Sequence, residues 1–309
     1  MITHLMIRCM VAIVKDDSHS IKDISNAVKA SYKKTAIALQ RLEREDLIIR
    51  TKPNKTHYMV ISNNNIGKAF IDLCHKLYYL DLSSLLFGAK LEILNVLSIE
   101  EGIPLQIIAK ILKKAPKTIS LQIKLLKKKF VVYKKEGKYY INKKIYQPIY
   151  NFVNEYRLYL KSNYKIYWKL NDEMLFESYE SEPKIGTPTG YMLFGKWGVK
   201  YGALRYFLYH PKKEITKEDA FIHALHKLSD PRDLAISITF YLKNKMNAAK
   251  LEFLSMYYGV SKKYHALLDL INDGKLSSLL PKITKRELIE TLELYDVNYK
   301  LRWSDVKQE

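Results

Sequence analysis

Between Ser20 and Ile49, in SIKDISNAVKASYKKTAIALQRLEREDLII, apolar residues recur at helical spacing in two blocks. Ile24, Ala27 and Val28 share one face of a first helix. Thr35, Leu39 and Leu42, at i, i+4 and i+7, share one face of a second, followed by Leu47 and Ile48. Ser31 stands where a hydroxyl would cap the second helix. In IIRTKPNKTHYMVI the pattern then changes to two β-prone runs around Pro53-Asn54, which predicts a hairpin. Upstream, Cys9, Met10 and Ile13 mark an earlier helix.

The layout recurs 84 residues later. Ile24-Ser25 corresponds to Ile108-Ala109, Val28 to Leu112, Leu39 to Ile123, Leu42 to Leu126, and Leu47-Ile48 to Val131-Val132. Cys9, Met10 and Ile13 answer to Ile93, Leu94 and Leu97. Pro116 falls in the first turn of the second copy's third helix, where its missing N–H costs nothing. VVYKKEGKYYIN, with Glu136-Gly137 at its tip, is the second hairpin.

Between the copies, Phe70, Leu73, Leu77 and Leu80 predict one connecting helix over 66–87, with no breaker before Gly88. After the second hairpin, Ile149, Phe152, Val153, Tyr156 and Leu160 predict another over 146–165. Their apolar stripes leave two arrangements open, packing inside one chain or the seam of a homodimer. Residues 166–309 differ in composition. NDEMLFESYESEPKIGTPTG reads as an acidic boundary and loop, and GYMLFGKWGVKYGALRYFLYHP as a short helix and a strand ending at Tyr209. Helices follow, capped by Thr216, Asp230 and Thr284 and stopped at Gly259 and Gly274. The expected class is α+β, mainly α. The expected domains are 1–65, a connecting helix 66–87, 88–145, a linking helix 146–165, and a mostly helical domain 166–309 with a short β element.

Charge sharpens this picture. The formal net charge is +20, and it is unevenly placed. Residues 1–80 carry 13 Lys and Arg against 7 Asp and Glu, residues 81–165 carry 17 against 6, and residues 166–309 carry 22 against 19. The excess sits in the repeated half, the expected footprint of a polyanion partner. No apolar run is long enough for a membrane span, and Met1 to Val14 lacks the form of a secretory signal, so a soluble, cytoplasmic protein without a membrane partner is expected. Cys9 and Cys74 read as small buried hydrophobes.

DISNAVKASYKKTAIALQRLEREDLI resembles the winged helix-turn-helix of bacterial and archaeal transcription regulators, and IIAKILKKAPKTISLQIKLLKKKFVV resembles it less closely. The resemblance implies two tandem winged domains and double-stranded DNA as partner. In the first copy Ser31, Tyr32, Lys33, Lys34, Gln40, Arg41 and Arg44 lie off the Leu39–Leu42 face and would face the major groove. Gln40 has the bidentate chemistry for adenine and Arg41 that for guanine. In the second copy Lys117, Thr118, Ser120 and Lys124 take the corresponding helix, and Lys127, Lys128 and Lys129 continue a basic stripe. Arg50, Lys52 and Lys55 in one hairpin, and Lys134, Lys135 and Lys138 in the other, are placed for phosphates. Leu121 and Leu125 fall off the face defined by Ile119, Ile123 and Leu126, which predicts that part of this helix docks on another domain or subunit.

TPTGYMLFGKWG, a strand, ITKEDAFIHAL, DPRDLAISITFYLKN and LEFLSMYYGV together resemble the C-terminal part of AbiEi-type proteins, the regulator halves of abortive-infection toxin-antitoxin pairs. That resemblance implies an autoregulatory repressor of antitoxin type, with a cognate toxin or other protein as partner of the third part. A plasmid or viral replication or partition initiator remains open, since tandem winged domains also build such proteins. No P-loop, dinucleotide fingerprint, nucleophile elbow or nucleotidyltransferase Gly-Ser loop is present, so no enzyme and no cofactor is expected. His223 and His226, near Glu218 and Asp219, read as solvated or capping rather than metal-binding, and Asp230 and Asp233 as helix caps.

Overall fold

Each helix of the first copy begins where a hydroxyl accepts an N–H of its first turn, Thr3 for the first, Ser20 for the second and Ser31 for the third. The computed structural model describes residues 2–16, 20–51, 58–159, 164–178, 185–202 and 205–299. The chain divides into two compact units, Met1–Lys161 and Ser162–Glu309. The class is α+β, with helices predominating and small antiparallel sheets between them. No described helix is long and apolar enough to cross a membrane.

In the first unit, α1 (His4–Asp16), α2 (Ile21–Ala27) and α3 (Tyr32–Arg44) precede a hairpin of β1 (Ile48–Thr51) and β2 (Tyr58–Ile61), with Ile48 opposite Ile61. Ser20 opens α2 with a capping box: its hydroxyl accepts the Asp23 N–H, and the Asp23 carboxylate accepts the Ser20 N–H. Ser31 Oγ caps α3 by accepting the Lys34 N–H at 3.4 Å. The turn expected at Pro53-Asn54 lies outside the described residues, as do Lys52 and Lys55. Then come α4 (Asn65–Lys76), α5 (Leu82–Leu85) and the second series: α6 (Gly88–Ile99), β3 (Ile103–Pro104), α7 (Leu105–Leu112), α8 (Pro116–Lys128), β4 (Val132–Lys135), β5 (Lys138–Ile141) and α9 (Lys143–Leu158).

Backbone detail repeats along with the apolar pattern. Lys29 and Lys113, both between the second and third helices of their series, are left-handed at φ 46° and 52°. Asp46 and Phe130, both after the third helix, are left-handed at 52° and 57°. The Leu47 N–H donates to the Leu42 carbonyl, and the Val131 N–H to that of Leu126. The Asn64 side-chain amide donates to the Asp46 carbonyl, and that of Asn142 to the Phe130 carbonyl. Ile24, Val28, Leu39 and Leu42 are buried, as are Ile108, Leu112, Ile123 and Leu126.

The single helix expected over 66–87 is in fact two. α4 ends at Lys76, and α5 starts again at Asp81, whose carboxylate accepts the N–H of Ser84. Asp81 caps the new helix, its carboxylate accepting from the Ser83 hydroxyl and the Ser84 N–H, so the continuing leucines fall on a second helix. The later helix also differs from expectation. α9 kinks at Tyr146, two residues before Pro148, and stops at Leu158. Its stripe meets that of α4 within the chain: Phe70 and Phe152 are fully buried, and α4 packs along α9.

The second unit holds β6 (Lys165–Leu170), β7 (Glu173–Ser178), β8 (Thr187–Pro188), a 3₁₀ helix (Gly190–Trp197) and β9 (Tyr206–His210), with sheet order β6-β7-β9-β8. Here the expected acidic loop is corrected. NDEMLFES forms a tight turn at Asn171 (φ 52°) and then a strand whose five residues from Met174 to Ser178 are all buried. Such a strand has no alternation to announce it, and its acidic Glu177 is stabilised by partners far along the chain. The β element is therefore a four-stranded sheet. Of α10 (Lys217–Ala224), α11 (Pro231–Lys243), α12 (Ala248–Tyr257), α13 (Ser261–Asp273) and α14 (Lys285–Leu294), α10, α11 and α14 start at the caps Thr216, Asp230 and Thr284 read from the sequence, and α12 and α13 end before Gly259 and Gly274, while Asn247 caps α12 and α13 starts without a side-chain cap.

Candidate nucleic-acid interface

α3 buries Thr35, Ala38, Leu39 and Leu42, which turns Lys33, Ile37, Gln40, Arg41 and Arg44 outward. These five positions, at i, i+4, i+7, i+8 and i+11, form one stripe along the helix. α8 buries Ile119, Ile123 and Leu126 and turns Lys117, Leu121, Lys124, Leu125 and Lys128 outward in the same five places. Both stripes keep a cation at each end and an aliphatic residue second. They differ in the middle, where Gln40-Arg41 stands against Lys124-Leu125. A glutamine and an arginine present planar, forked hydrogen-bonding groups suited to base edges, whereas lysine is a point charge and leucine offers only shape.

Ser31, Tyr32, Lys34, Thr118, Ser120 and Lys127 are exposed as well. Ser31 is committed to its cap. Arg50 in β1 is exposed, but its guanidinium is bound to Glu43 of α3 at 3.1 Å, which ties the hairpin to the helix and leaves it less available to phosphate. Lys134, Lys135 and Lys138 are exposed on the second hairpin, with Lys135 only 3.6 Å from Glu136. Leu121 and Leu125 are 57% and 41% exposed, and Ile37 is 45% exposed, so the expected bare leucines have a counterpart in the first copy.

The second hairpin carries a feature that the basic pattern concealed. Tyr133 of β4 lies opposite Tyr140 of β5, and their rings stack at 5.1 Å with 14° between planes. The alternation in VVYKKEGKYYIN could have indicated it, because Val132 and Ile141 are buried and their neighbours must point the other way. The corresponding residues of the first hairpin, Ile49 and Val60, are also paired across strands but carry no ring.

Several buried polar groups of the second unit are bound to one another. Glu177 is buried yet accepts from Lys227 Nζ at 3.0 Å and Tyr167 Oη at 2.9 Å. Glu218 binds Lys250 at 3.1 Å, and Asp219 closes a capping box on Thr216. His223 is corrected from solvated to wholly buried. It stacks on Tyr209, meets the Tyr258 ring edge-on at 4.4 Å, and shares a 2.7 Å hydrogen bond between its Nδ1 and Thr189 Oγ1. Burial foremost, then the Lys213 charge, holds its pKa well below the usual imidazole value. Asp230 caps α11 by accepting the Asp233 N–H at 2.8 Å. Among the described residues no group of three or more His, Cys, Asp or Glu side chains is arranged to hold a metal ion. Cys9 and Cys74 are buried free thiols, and burial pushes each pKa up to about 12. No family model, curated protein or solved structure matches this chain.

Proposed function

We infer that the protein is a cytoplasmic, duplex-DNA-binding transcription regulator whose first unit is a tandem of winged helix-turn-helix domains. The observation that carries this reading is the outward stripe of α3. Lys33, Gln40, Arg41 and Arg44 are all exposed on one face of a rigid helix, with the opposite face buried in a core. A helix of this kind fits the major groove with forked side chains at base edges and cations at phosphates. The lysines of α8 supply sequence-independent grip. An antitoxin-type autorepressor suits the resemblance of the C-terminal part, and the second unit would then engage the toxin. One observation favours the initiator reading instead: α4 joins the two copies to each other through α9, so one chain offers two outward basic helices without a partner subunit.

Footprinting of the full chain on the DNA upstream of its own gene, at several salt concentrations, tests the reading. A discrete protected site, lost in a Lys33→Glu plus Arg41→Glu variant, is the expected result. Protection of a run of direct repeats beside an AT-rich stretch would favour the initiator. Uniform binding with a steep salt slope and no protected site would overturn sequence-specific regulation.

A further inference from the structure

Gly102, at φ +80°, lies so close to Tyr140 that a Cβ there would stand 2.5 to 2.7 Å from the ring. Tyr140 therefore covers bare backbone on one side and stacks on Tyr133 towards the other. β3, which follows Gly102, pairs with β5, so Gly102, Tyr140 and Tyr133 make a row across the sheet order β3-β5-β4. Tyr133 ends the row and is 41% exposed. Two cross-strand pairs on, Lys135 stands opposite Lys138 on the same face. The setting is predominantly cationic: residues 103–135 contain ten lysines and no Asp or Glu, with Glu101 beside Gly102 and Glu136, 3.6 Å from Lys135, as the acidic neighbours.

A duplex presents base edges and phosphates to a protein, while its base faces are stacked away. An exposed tyrosine face flanked by lysines matches a different chemistry, in which an unpaired base stacks on the ring and cations follow the backbone. The outward stripe of α8, with Lys124-Leu125 in place of Gln40-Arg41, has no forked group with which to read a duplex. We propose that the outer face of the second hairpin binds single-stranded nucleic acid, with a base stacked on Tyr133 and phosphates held by Lys135 and Lys138. The proposal rests on the nucleic-acid reading of the basic unit and divides its surface, with α3 and the lysines of α8 on the duplex and the outer face of the second hairpin on an unpaired strand.

The test measures anisotropy of labelled oligo-dT and oligo-rU of equal length with the full chain, beside the duplex footprint. Tyr133→Val keeps a β-branched residue in the strand and removes the ring, and Tyr133→Phe keeps the ring. The expected result is that Val weakens single-strand binding about ten- to a hundred-fold, Phe stays within about threefold of the parent, and duplex protection is unchanged. The tighter of the two oligonucleotides identifies the sugar that the site takes. Loss of single-strand binding in Val alone, with no duplex site in the parent, would uphold this proposal and sink the duplex reading. Equal binding by parent and Val, or equal loss in Val and Phe, overturns the proposal while leaving the footprint free to stand.

Discussion

Phe70 and Phe152 meet edge to face, 5.3 Å between ring centroids and 61° between planes, and join the helix after the first hairpin to the helix after the second. Both side chains are fully buried. The contact makes the tandem copies one packed body, so α4 and α9 serve each other where separate domains would need a partner subunit.

That contact is expected to be costly to lose. Phe152→Ala and Phe70→Ala should each destabilise the full chain by about 3–5 kcal/mol. The double variant should fall short of the sum by about 0.5–1.5 kcal/mol, the usual worth of an aromatic pair. Urea unfolding of the four proteins checks it, and strict additivity would mean that the rings do not act as a pair.

Thr35 is wholly buried on α3, and its hydroxyl finds no hydrogen-bond partner. The same place in α8 holds Ile119, which is also buried. A buried hydroxyl without a partner is a net cost that an apolar group of the same shape avoids. Thr35→Val should therefore raise stability by roughly 1 kcal/mol, seen as a higher unfolding midpoint. A drop would mean that water or a relaxed rotamer satisfies the hydroxyl.

Two buried groups of the second unit should shape stability against pH in separate windows. His223 is neutral when folded, with its pKa held down first by burial and then by Lys213. Below about pH 6.5 the unfolded imidazole gains a proton that the folded one refuses, so stability falls with pH by up to about 1.4 kcal/mol per pH unit. His223→Asn should flatten that window. Glu177 behaves in the carboxylate range: burial raises its pKa, but hydrogen bonds from Lys227 and Tyr167 and the charges of Lys227 and Arg205 outweigh it and hold it below normal. Its contribution is present above about pH 4.3 and is lost as pH falls through the folded value, so Glu177→Gln should make the acid limb shallower. Denaturation midpoints from pH 8 to 3 report both, and an unchanged profile in either variant would contradict the assignment.

On DNA the two outward stripes should fail in different ways. Arg41→Ala should weaken the protected site by about 1–3 kcal/mol and leave random duplex binding nearly unchanged. Lys124→Ala should weaken all duplexes alike and lower the salt slope by about 1. Titrations of specific and scrambled duplexes at several salt concentrations separate the two. The same behaviour from both variants would remove the distinction between a reading copy and a gripping copy.

The repeat, the helices of the first copy and the caps of three of the last five helices were legible in the sequence because their causes are local. Ser31, Thr216, Asp230 and Thr284 satisfy N–H groups three residues away, and apolar spacing reports the buried face of a helix wherever that helix packs. The basic surface was equally legible, since charged side chains on a face opposite a core have only solvent to meet. Distant partners decided the rest. Glu177 sits in a buried strand because Lys227, 50 residues on, reaches it. His223 is interior because Tyr209, Tyr258 and Thr189 close around it. Phe70 faces Phe152 because α4 packs along α9, and Tyr133 stacks on Tyr140 because strand pairing sets them opposite each other over Gly102. Local propensity fixes where elements start and stop. Which faces meet, and so which residues stay available for a ligand, follows from the free energy of burying them together, which depends on residues far apart in the chain.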